Sequence, residues 1–246
     1  MEGGGDLMGT ARRVRFANRA IILVDAESVR CSGSWTANKH GGVRTGERMV
    51  LERMAAYLNG LDEPILVDIG ANTGSFCLLT VLVPGLRVVA FEPNPEAFAL
   101  LRQNLELNNL ADRVDFHPFA LGNRNGTASL RIPADPNWWG QATLADNPLR
   151  QPFDSGAISV EVEIKRLDDV IDGPVSFIKI DTEGNELDVM RGAKRILETY
   201  KPGVQFEIQR QNLAQFGLER GAPFDFLIGV GYTAFAKVGP EEWWAT

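Results

Sequence analysis

VDIGANTGSF (67–76), followed by VVAFEPNP (88–95), is the stretch that decides the fold of this 246-residue chain. Residues 65–69, ILVDI, form an uninterrupted apolar run that predicts a buried strand, and small residues follow at 70–74 before a helical pattern begins. Small residues let the backbone turn sharply and approach a ligand closely. The combination of strand, tight loop and helix start predicts a site for a nucleoside cofactor.

Apolar strands alternate with amphipathic helices from residue 64 onward. The alternation predicts an α/β fold with a doubly wound, mostly parallel sheet that has an antiparallel strand at its C-terminal edge. Ligands of such sheets bind at the C-terminal ends of the strands. The predicted strands are 20–24, 65–69, 86–92, 113–121, 174–181, 203–208 and 232–238, the predicted helices are 46–59, 73–83, 95–109 and 185–200, and EEWWAT is predicted as a short tail.

The chain divides into an extension and one domain. We expect residues 1–45 to be an N-terminal extension, partly disordered, that could cover the substrate, and residues 46–246 to be a single domain. Segments 127–133 and 157–167 have strand character but interrupt the alternation, and the second has the period of a half-exposed antiparallel strand. The stretch between them is rich in Pro, Asn and Gly. We therefore predict an insertion at about 127–166, near the ligand-binding edge of the sheet.

The composition argues against several classes of protein. A net charge of −7 does not suit a nucleic-acid binder, which usually presents a basic face. No apolar run approaches the roughly 18 residues of a membrane span, so no membrane partner is expected. Cys31 and Cys77 form neither a disulfide framework nor a metal-binding spacing, which favours the cytoplasm. A homo-oligomer is left open.

Two acidic residues give the loop its chemistry. Asp68 ends the first strand of the motif, where a carboxylate suits the cationic end of S-adenosylmethionine, directly or through water. Glu92 ends the second strand, where an acid can accept hydrogen bonds from both ribose hydroxyls. The loop lacks the G-x-G-x-x-G spacing of a dinucleotide site, which argues against a nicotinamide oxidoreductase.

A third motif, FIKIDTEGNELDVMRGA (177–193), brings further charged residues. Lys179 alternates with isoleucines and is predicted to be buried, so it needs a partner or a functional reason. Asp181 and Glu183 follow at the C-terminal end of the strand, where the chemistry is expected, and Gly184 lets the chain turn into the next helix.

The chain resembles the FkbM family of class I methyltransferases. The resemblance rests on VDIGANTG (67–74), FEPNP (91–95), LDDV (167–170) and IKIDTEGNELDVMRGA (178–193), and covers roughly residues 45–210. It implies a Rossmann-like class I fold and an S-adenosylmethionine-dependent O-methyltransferase that acts on a hydroxyl of a small molecule, such as a sugar or a natural-product intermediate.

The resemblance also assigns roles to individual residues. Glu92 would hold the ribose, Asn94 would lie beside the adenine, residues 117–121 would line the adenine, and Asp181 and Glu183 would lie near the transferred methyl group. The expected cofactor-binding residues are Asp68, Gly70, Asn72, Thr73, Gly74, Glu92, Pro93, Asn94 and Ala120.

The methyl acceptor is where the sequence leaves alternatives open. Asp181, with Glu183 second, is the candidate general base, or it only orients the substrate or caps the next helix. These two acids could supply two ligands to a divalent ion, but no third ligand is evident nearby in sequence, so no metal is predicted. A nitrogen acceptor and an inactive cofactor-binding protein are the alternative functions. The candidate substrate residues are His40, Trp138, Trp139 and Glu207.

Overall fold

A computed structural model describes residues 12–16, 20–24, 45–145 and 156–246 of the chain. Near the start, β1 (Arg12–Phe16) and β2 (Ala20–Val24) pair in antiparallel fashion. Most of the predicted extension, including His40, lies outside the described residues, as does the middle of the insertion. Among the described residues, no helix is both long and apolar enough to cross a membrane.

A seven-stranded sheet forms the centre of the fold. Five strands are parallel and lie in the order β10, β9, β3, β4, β5, so the chain reverses its direction of winding between β3 and β9. That reversal is the point at which doubly wound sheets bind ligands. The five strands are β3 (Ile65–Ile69), β4 (Arg87–Phe91), β5 (Val114–His117), β9 (Phe177–Ile180) and β10 (Gly203–Glu207).

Helices cover both faces of the sheet, as the buried apolar strands require. One core packs α1 and its neighbours against one face, and a second core packs the later helices against the other. The helices are α1 (Thr45–Asn59), α2 (Leu79–Leu82), α3 (Pro95–Leu107), α4 (Leu167–Val170), α5 (Glu186–Gly192), α6 (Lys194–Tyr200), α7 (Arg210–Gln215) and α8 (Ala222–Gly229).

Two predicted helices are shorter than expected. The helix predicted at 73–83 is a turn, a 3₁₀ segment (Phe76–Leu78) and the single turn α2, which ends at Val83 because the following proline favours an extended residue before it. The helix predicted at 185–200 is interrupted at Ala193. Gly192 packs so closely on the Gly122 carbonyl that any side chain would collide with it.

The predicted C-terminal tail is wrong, because EEWWAT contains a strand. β12 (Glu242–Ala245) lies between β10 and β11 (Phe235–Lys237) and runs antiparallel to both. Trp244 and Ala245 on this strand are buried. The antiparallel strand predicted at the C-terminal edge of the sheet is therefore present, and the predicted strand 232–238 corresponds to β11, the outermost strand.

The insertion forms a separate three-stranded sheet in the order β6, β8, β7. β7 (Gly126–Ile132) pairs with β8 (Ile158–Lys165) in antiparallel fashion, which confirms the half-exposed antiparallel strand. The short β6 (Ala120–Leu121) joins this sheet directly after β5, so the predicted strand 113–121 belongs to two sheets. A 3₁₀ segment (Pro136–Gln141) then leads from β7 back towards the central sheet.

Candidate active site

A pocket lies at the C-terminal ends of the central parallel strands. Its walls come from the loops after β3, β4, β5 and β9, and from the part of the insertion that follows β7. The predicted residues that line it are Gly70, Asn72, Glu92, Pro93, Ala120, Trp139, Asp181 and Glu183.

The loop after β3 has the sharp turn that its small residues predict. Gly70 has a φ of 74°, and a Cβ atom at this position would collide with the Asp181 carbonyl oxygen. Asn72 is also left-handed, with a φ of 52°, which costs an L-residue about 1–2 kcal/mol. Its N–H donates to Glu92 Oε2 at 2.7 Å. Glycine at position 70 therefore lets the loop after β3 lie against the loop after β9.

Glu92 ties two loops together. One carboxylate oxygen accepts from the Asn72 N–H, and the other accepts from the Asn94 N–H at 2.8 Å. Burial raises the pKa of Glu92 to about 7, although those two N–H groups oppose the rise. Each carboxylate oxygen keeps a further acceptor position, so the residue can bind hydroxyl groups while it holds the loops.

Asp68, predicted to act on the cofactor directly or through water, does not line the pocket. It is fully buried and pairs with Lys179 Nζ at 3.2 Å, because β3 and β9 are in register at these two residues. Lys179 also donates to the Gly70 carbonyl at 2.8 Å and lies 3.7 Å from Asp181 Oδ2. Burial lowers the pKa of Lys179, but the charges of Asp68 and Asp181 outweigh it, so the net shift is upward. The buried lysine thus has its expected partner.

Three other predicted cofactor residues support the loops from behind instead of lining the pocket. The Thr73 carbonyl accepts from the Asn104 side chain at 2.8 Å. Gly74 has a φ of 93° and packs on Leu101. Asn94 is buried and caps α3, accepting from the Glu96 N–H at 3.2 Å, as Asn before Pro predicts.

Aromatic rings form the wall beside Glu92. His117 stacks on Phe91 with ring centroids 5.2 Å apart, and Phe119 packs against both rings. Phe91, Phe119, Ala120 and Leu121 line the pocket, whereas His117 lies behind them. Of the segment predicted to line the adenine, residues 119–121 therefore face the pocket.

The turn after β9 presents the two candidate catalytic acids. Asp181 is about half exposed, at 46% for its side chain, and Glu183 is left-handed with a φ of 56°. Gly184 has a φ of 111°, and a Cβ there would lie 2.6 Å from the Asn212 carbonyl oxygen. Both acids line the pocket, so the strand end brings them together as predicted.

Glu186 fixes this turn, a role that the sequence did not reveal. Its buried Oε1 accepts from the N–H groups of Thr182 and Gly184, both at 3.0 Å, and from the Thr182 hydroxyl at 3.2 Å. Burial raises the pKa of Glu186, and the donated hydrogen bonds oppose the rise. Glu186 is therefore the residue that organises the turn.

Glu207 joins Asp181 and Glu183 in one acidic cluster. Carboxylate oxygens of the three residues lie within 4.8 Å of one another, because β10 ends beside β9. Burial raises the pKa of Glu207 to about 10, and the charges of Asp181 and Glu183 add to the rise. The third carboxylate is not near the first two in sequence and comes from the neighbouring strand. Such a set of oxygens is also one that a divalent ion can use.

Carboxamide groups surround the acidic cluster. Gln209 donates to Glu207 at 2.8 Å, and the buried Asn212 donates to Glu183 at 2.7 Å. Asn212 lies in α7, a helix that the sequence analysis did not predict.

The two tryptophans of the insertion occupy different positions. Trp139 lines the pocket and packs on the small apolar core of the insertion, whereas Trp138 is 43% exposed and does not line the pocket. Adjacent residues of the 3₁₀ segment point in different directions, so only one of the pair can face the site.

Comparison with known proteins identifies methyltransferases as relatives of this chain. Residues 68–235 match the family model described as the methyltransferase FkbM domain. The chain is 30% identical to "Methyltransferase sdnD" of Sordaria araneosa, over 59% of this chain and 70% of that protein. It is 33% identical to "2-O-methyltransferase NoeI" of Sinorhizobium fredii, over 67% of this chain and 71% of that protein.

Other matches cover less of the relative. The chain is 31% identical to "31-O-demethyl-FK506 methyltransferase FkbM" of Streptomyces tacrolimicus, over 53% of this chain and 59% of that protein. A crystal structure of the methyltransferase FkbM from Methylobacillus flagellatus superposes with a TM-score of 0.52 at 20% identity, over 76% of this chain and 44% of that chain. That likeness supports the class I methyltransferase fold. The family match over most of the chain shows that this protein belongs to the FkbM family of S-adenosylmethionine-dependent methyltransferases.

Proposed function

We propose that this enzyme transfers the methyl group of S-adenosylmethionine to a hydroxyl of a small molecule, such as a sugar or a natural-product intermediate. One observation carries the proposal: a single pocket is lined by Glu92 after β4 and by the acidic turn at Asp181 and Glu183 after β9. β3 separates these strands, so a cofactor held at Glu92 can extend across the loop after β3 towards the acids.

The residues of the pocket fit S-adenosylmethionine. Glu92 offers two carboxylate oxygens with free acceptor positions to a ribose diol. The Asn72 Oδ1 atom is buried with no hydrogen-bond partner among the described residues, so it offers a further acceptor. The apolar wall of Phe91, Phe119 and Ala120 suits an adenine ring.

The acidic cluster supplies what an alcohol acceptor needs. The cofactor supplies an activated methyl group, so the chain has to align the acceptor and accept its proton. Glu207 holds its own proton at neutral pH because its pKa is about 10. Asp181 is more exposed and lines the pocket, and Lys179 Nζ holds its carboxylate from 3.7 Å. Asp181 is therefore the proposed general base, and Glu183, Glu207 and Trp139 are proposed to contact the acceptor.

A nitrogen acceptor is the second candidate, and the same cluster favours it. The carboxylates of Asp181 and Glu183, which lie within 4.8 Å of the protonated Glu207, attract a cationic amine. An ammonium group must lose a proton before it can attack, and a carboxylate can accept that proton. The names of two relatives specify transfer to oxygen, which favours the hydroxyl acceptor.

We propose residues 1–45 as an extension that covers the substrate, residues 46–246 as one domain, and the cytoplasm as the compartment. The net charge of −7 supports a small-molecule partner and not a nucleic acid, and a homo-oligomer is compatible with it. The proposed reaction uses no metal.

Methyl transfer from radiolabelled S-adenosylmethionine to a panel of sugars, hydroxylated natural products and their amino analogues tests the proposal. We expect labelled products from hydroxyl acceptors, and a loss of about 100-fold in Asp181→Asn. Asp188→Asn is the matched control, since Asp188 pairs with Arg191 at the surface. Label only in amino analogues would favour the nitrogen acceptor. Full activity of Asp181→Asn on a hydroxyl acceptor would rule out its role as the base.

A further inference from the structure

The insertion contacts the pocket at two strained residues. Asn72 and Glu183 are the left-handed, non-glycine residues of the pocket wall, one in the loop after β3 and one in the turn after β9. A Cβ atom at Gly140 would lie 2.9 Å from Asn72 Nδ2. The Thr143 hydroxyl donates to the Glu183 carbonyl at 3.1 Å. Two insertion residues three positions apart therefore reach both loops.

Thr143 is itself held firmly. It is 2% exposed, and its backbone pairs with Arg131 through hydrogen bonds of 2.8 and 3.0 Å. Its hydroxyl also accepts from the Ala145 N–H at 3.2 Å. A hydroxyl that donates once and accepts once in a buried place has a fixed rotamer, so it can transmit the position of the insertion to its partner.

The bond to Glu183 restrains one peptide unit from both sides. The Glu183 carbonyl and the Gly184 N–H belong to the same peptide. The carbonyl is bound by Thr143, and the N–H is bound by Glu186 Oε1 at 3.0 Å. Rotation of this peptide would break both bonds and change the ψ angle of Glu183, the residue whose carboxylate belongs to the acidic cluster.

We propose that Thr143 is a positioning residue of the methyl-transfer site: through its hydroxyl, the insertion fixes the Glu183–Gly184 peptide and so orients the Glu183 carboxylate relative to Asp181 and Glu207. The inference rests on the proposed function of the acidic turn. Through Thr143, the insertion would then contribute to the acceptor side of the site, in addition to forming a wall of the cofactor pocket.

The variant Thr143→Val tests the positioning role, because valine has nearly the same shape as threonine but cannot donate the hydrogen bond to the Glu183 carbonyl. Thr80→Val is the matched control, since Thr80 is equally buried and its hydroxyl donates to the Cys77 carbonyl at 2.8 Å, away from the acidic turn. Thr143→Ser restores the hydroxyl, and Thr143→Ala serves if the valine variant does not fold.

The first readout is hydrogen exchange at the Gly184 N–H, which needs no acceptor. We expect exchange about tenfold faster in Thr143→Val than in the wild type, near wild-type exchange in Thr143→Ser and no change in Thr80→Val. Unchanged exchange at Gly184 in both Thr143→Val and Thr143→Ala would overturn the proposal.

The second readout is steady-state methyl transfer. We expect kcat of Thr143→Val to fall about tenfold, with the KM for S-adenosylmethionine within about twofold and with recovery in Thr143→Ser. Equal kcat in the wild type and Thr143→Val would overturn the positioning role. If no acceptor is methylated by the wild type, the proposed function fails, and the exchange experiment still decides whether Thr143 holds the turn.

Discussion

Replacing Glu92 by glutamine separates the stability of the fold from binding of the cofactor. The pKa of this carboxyl rises from 4.5 to about 7 because it is buried. At 1.36 kcal/mol per unit, keeping Glu92 ionised costs the folded state about 3 kcal/mol. Glutamine removes the charge but gives up one of the two hydrogen bonds from Asn72 and Asn94, which is worth about 1 kcal/mol.

We therefore expect Glu92→Gln to raise the free energy of unfolding of the cofactor-free protein by about 2 kcal/mol at pH 8. The sign follows from the raised pKa: the contribution of Glu92 to stability is fully present below pH 4.5 and is lost as the pH rises through about 7. The gain of the variant over the wild type should thus shrink towards zero at low pH. Urea denaturation of both proteins between pH 5 and pH 8 measures this difference.

Binding of the cofactor should change in the opposite direction. Glutamine is a weaker acceptor than a carboxylate for the ribose hydroxyls, so affinity for S-adenosylhomocysteine should fall about 30-fold by isothermal titration calorimetry. In the wild type, affinity should rise with pH through about 7 as Glu92 ionises. Glu96→Gln is the control, because Glu96 is exposed in the first turn of α3. A variant that is less stable at pH 8 and binds as tightly as the wild type would refute the reasoning.

Three more substitutions address other parts of the site. Lys179→Met should cost about 3–5 kcal/mol in urea denaturation because it leaves Asp68 buried and unpaired, and Asp68→Asn in the same chain should restore part of the loss; equal stability of the single and double variants would contradict the pairing. Gly140→Ala should weaken binding of S-adenosylhomocysteine by about tenfold, because the added Cβ would collide with the Asn72 side chain. Unchanged affinity would show that the insertion shifts to make room for the Cβ. Glu207→Gln should leave stability nearly unchanged at pH 4 but raise it at pH 8, because the unfolded carboxyl ionises above pH 4.5 while the folded one stays neutral up to a pKa of about 10; a gain at pH 8 no larger than that at pH 4 would argue against the raised pKa.

The sequence predicted the parts of the site that depend on local structure. A strand followed by small residues places Gly70 and Asn72 at the end of β3, independently of the rest of the chain. The strand pattern of residues 177–180 likewise places Asp181 and Glu183 at the end of β9. Asn94 before a proline likewise determines its own cap. These features need only the period of the strand and the rules for helix starts.

The parts that it missed depend on strand order and register. Asp68 was expected near the cofactor. The parallel pairing of β3 with β9 places it opposite Lys179, with which it forms a buried ion pair behind the pocket wall. Glu207 joins the acidic cluster only because β10 is the neighbour of β9. The contact of Thr143 with Glu183 spans 40 residues of sequence. No local pattern encodes contacts of this kind.

The central claim is that one pocket holds the cofactor at Glu92 and presents the acceptor at the acidic turn. A crystal structure of the protein with S-adenosylhomocysteine tests it most directly. We predict both ribose hydroxyls within about 3 Å of the Glu92 carboxylate, the adenine against Phe119 and Ala120, and the sulfur on the side of Asp181. A ligand bound outside this pocket, or one with its ribose beside Asp181, would contradict the account.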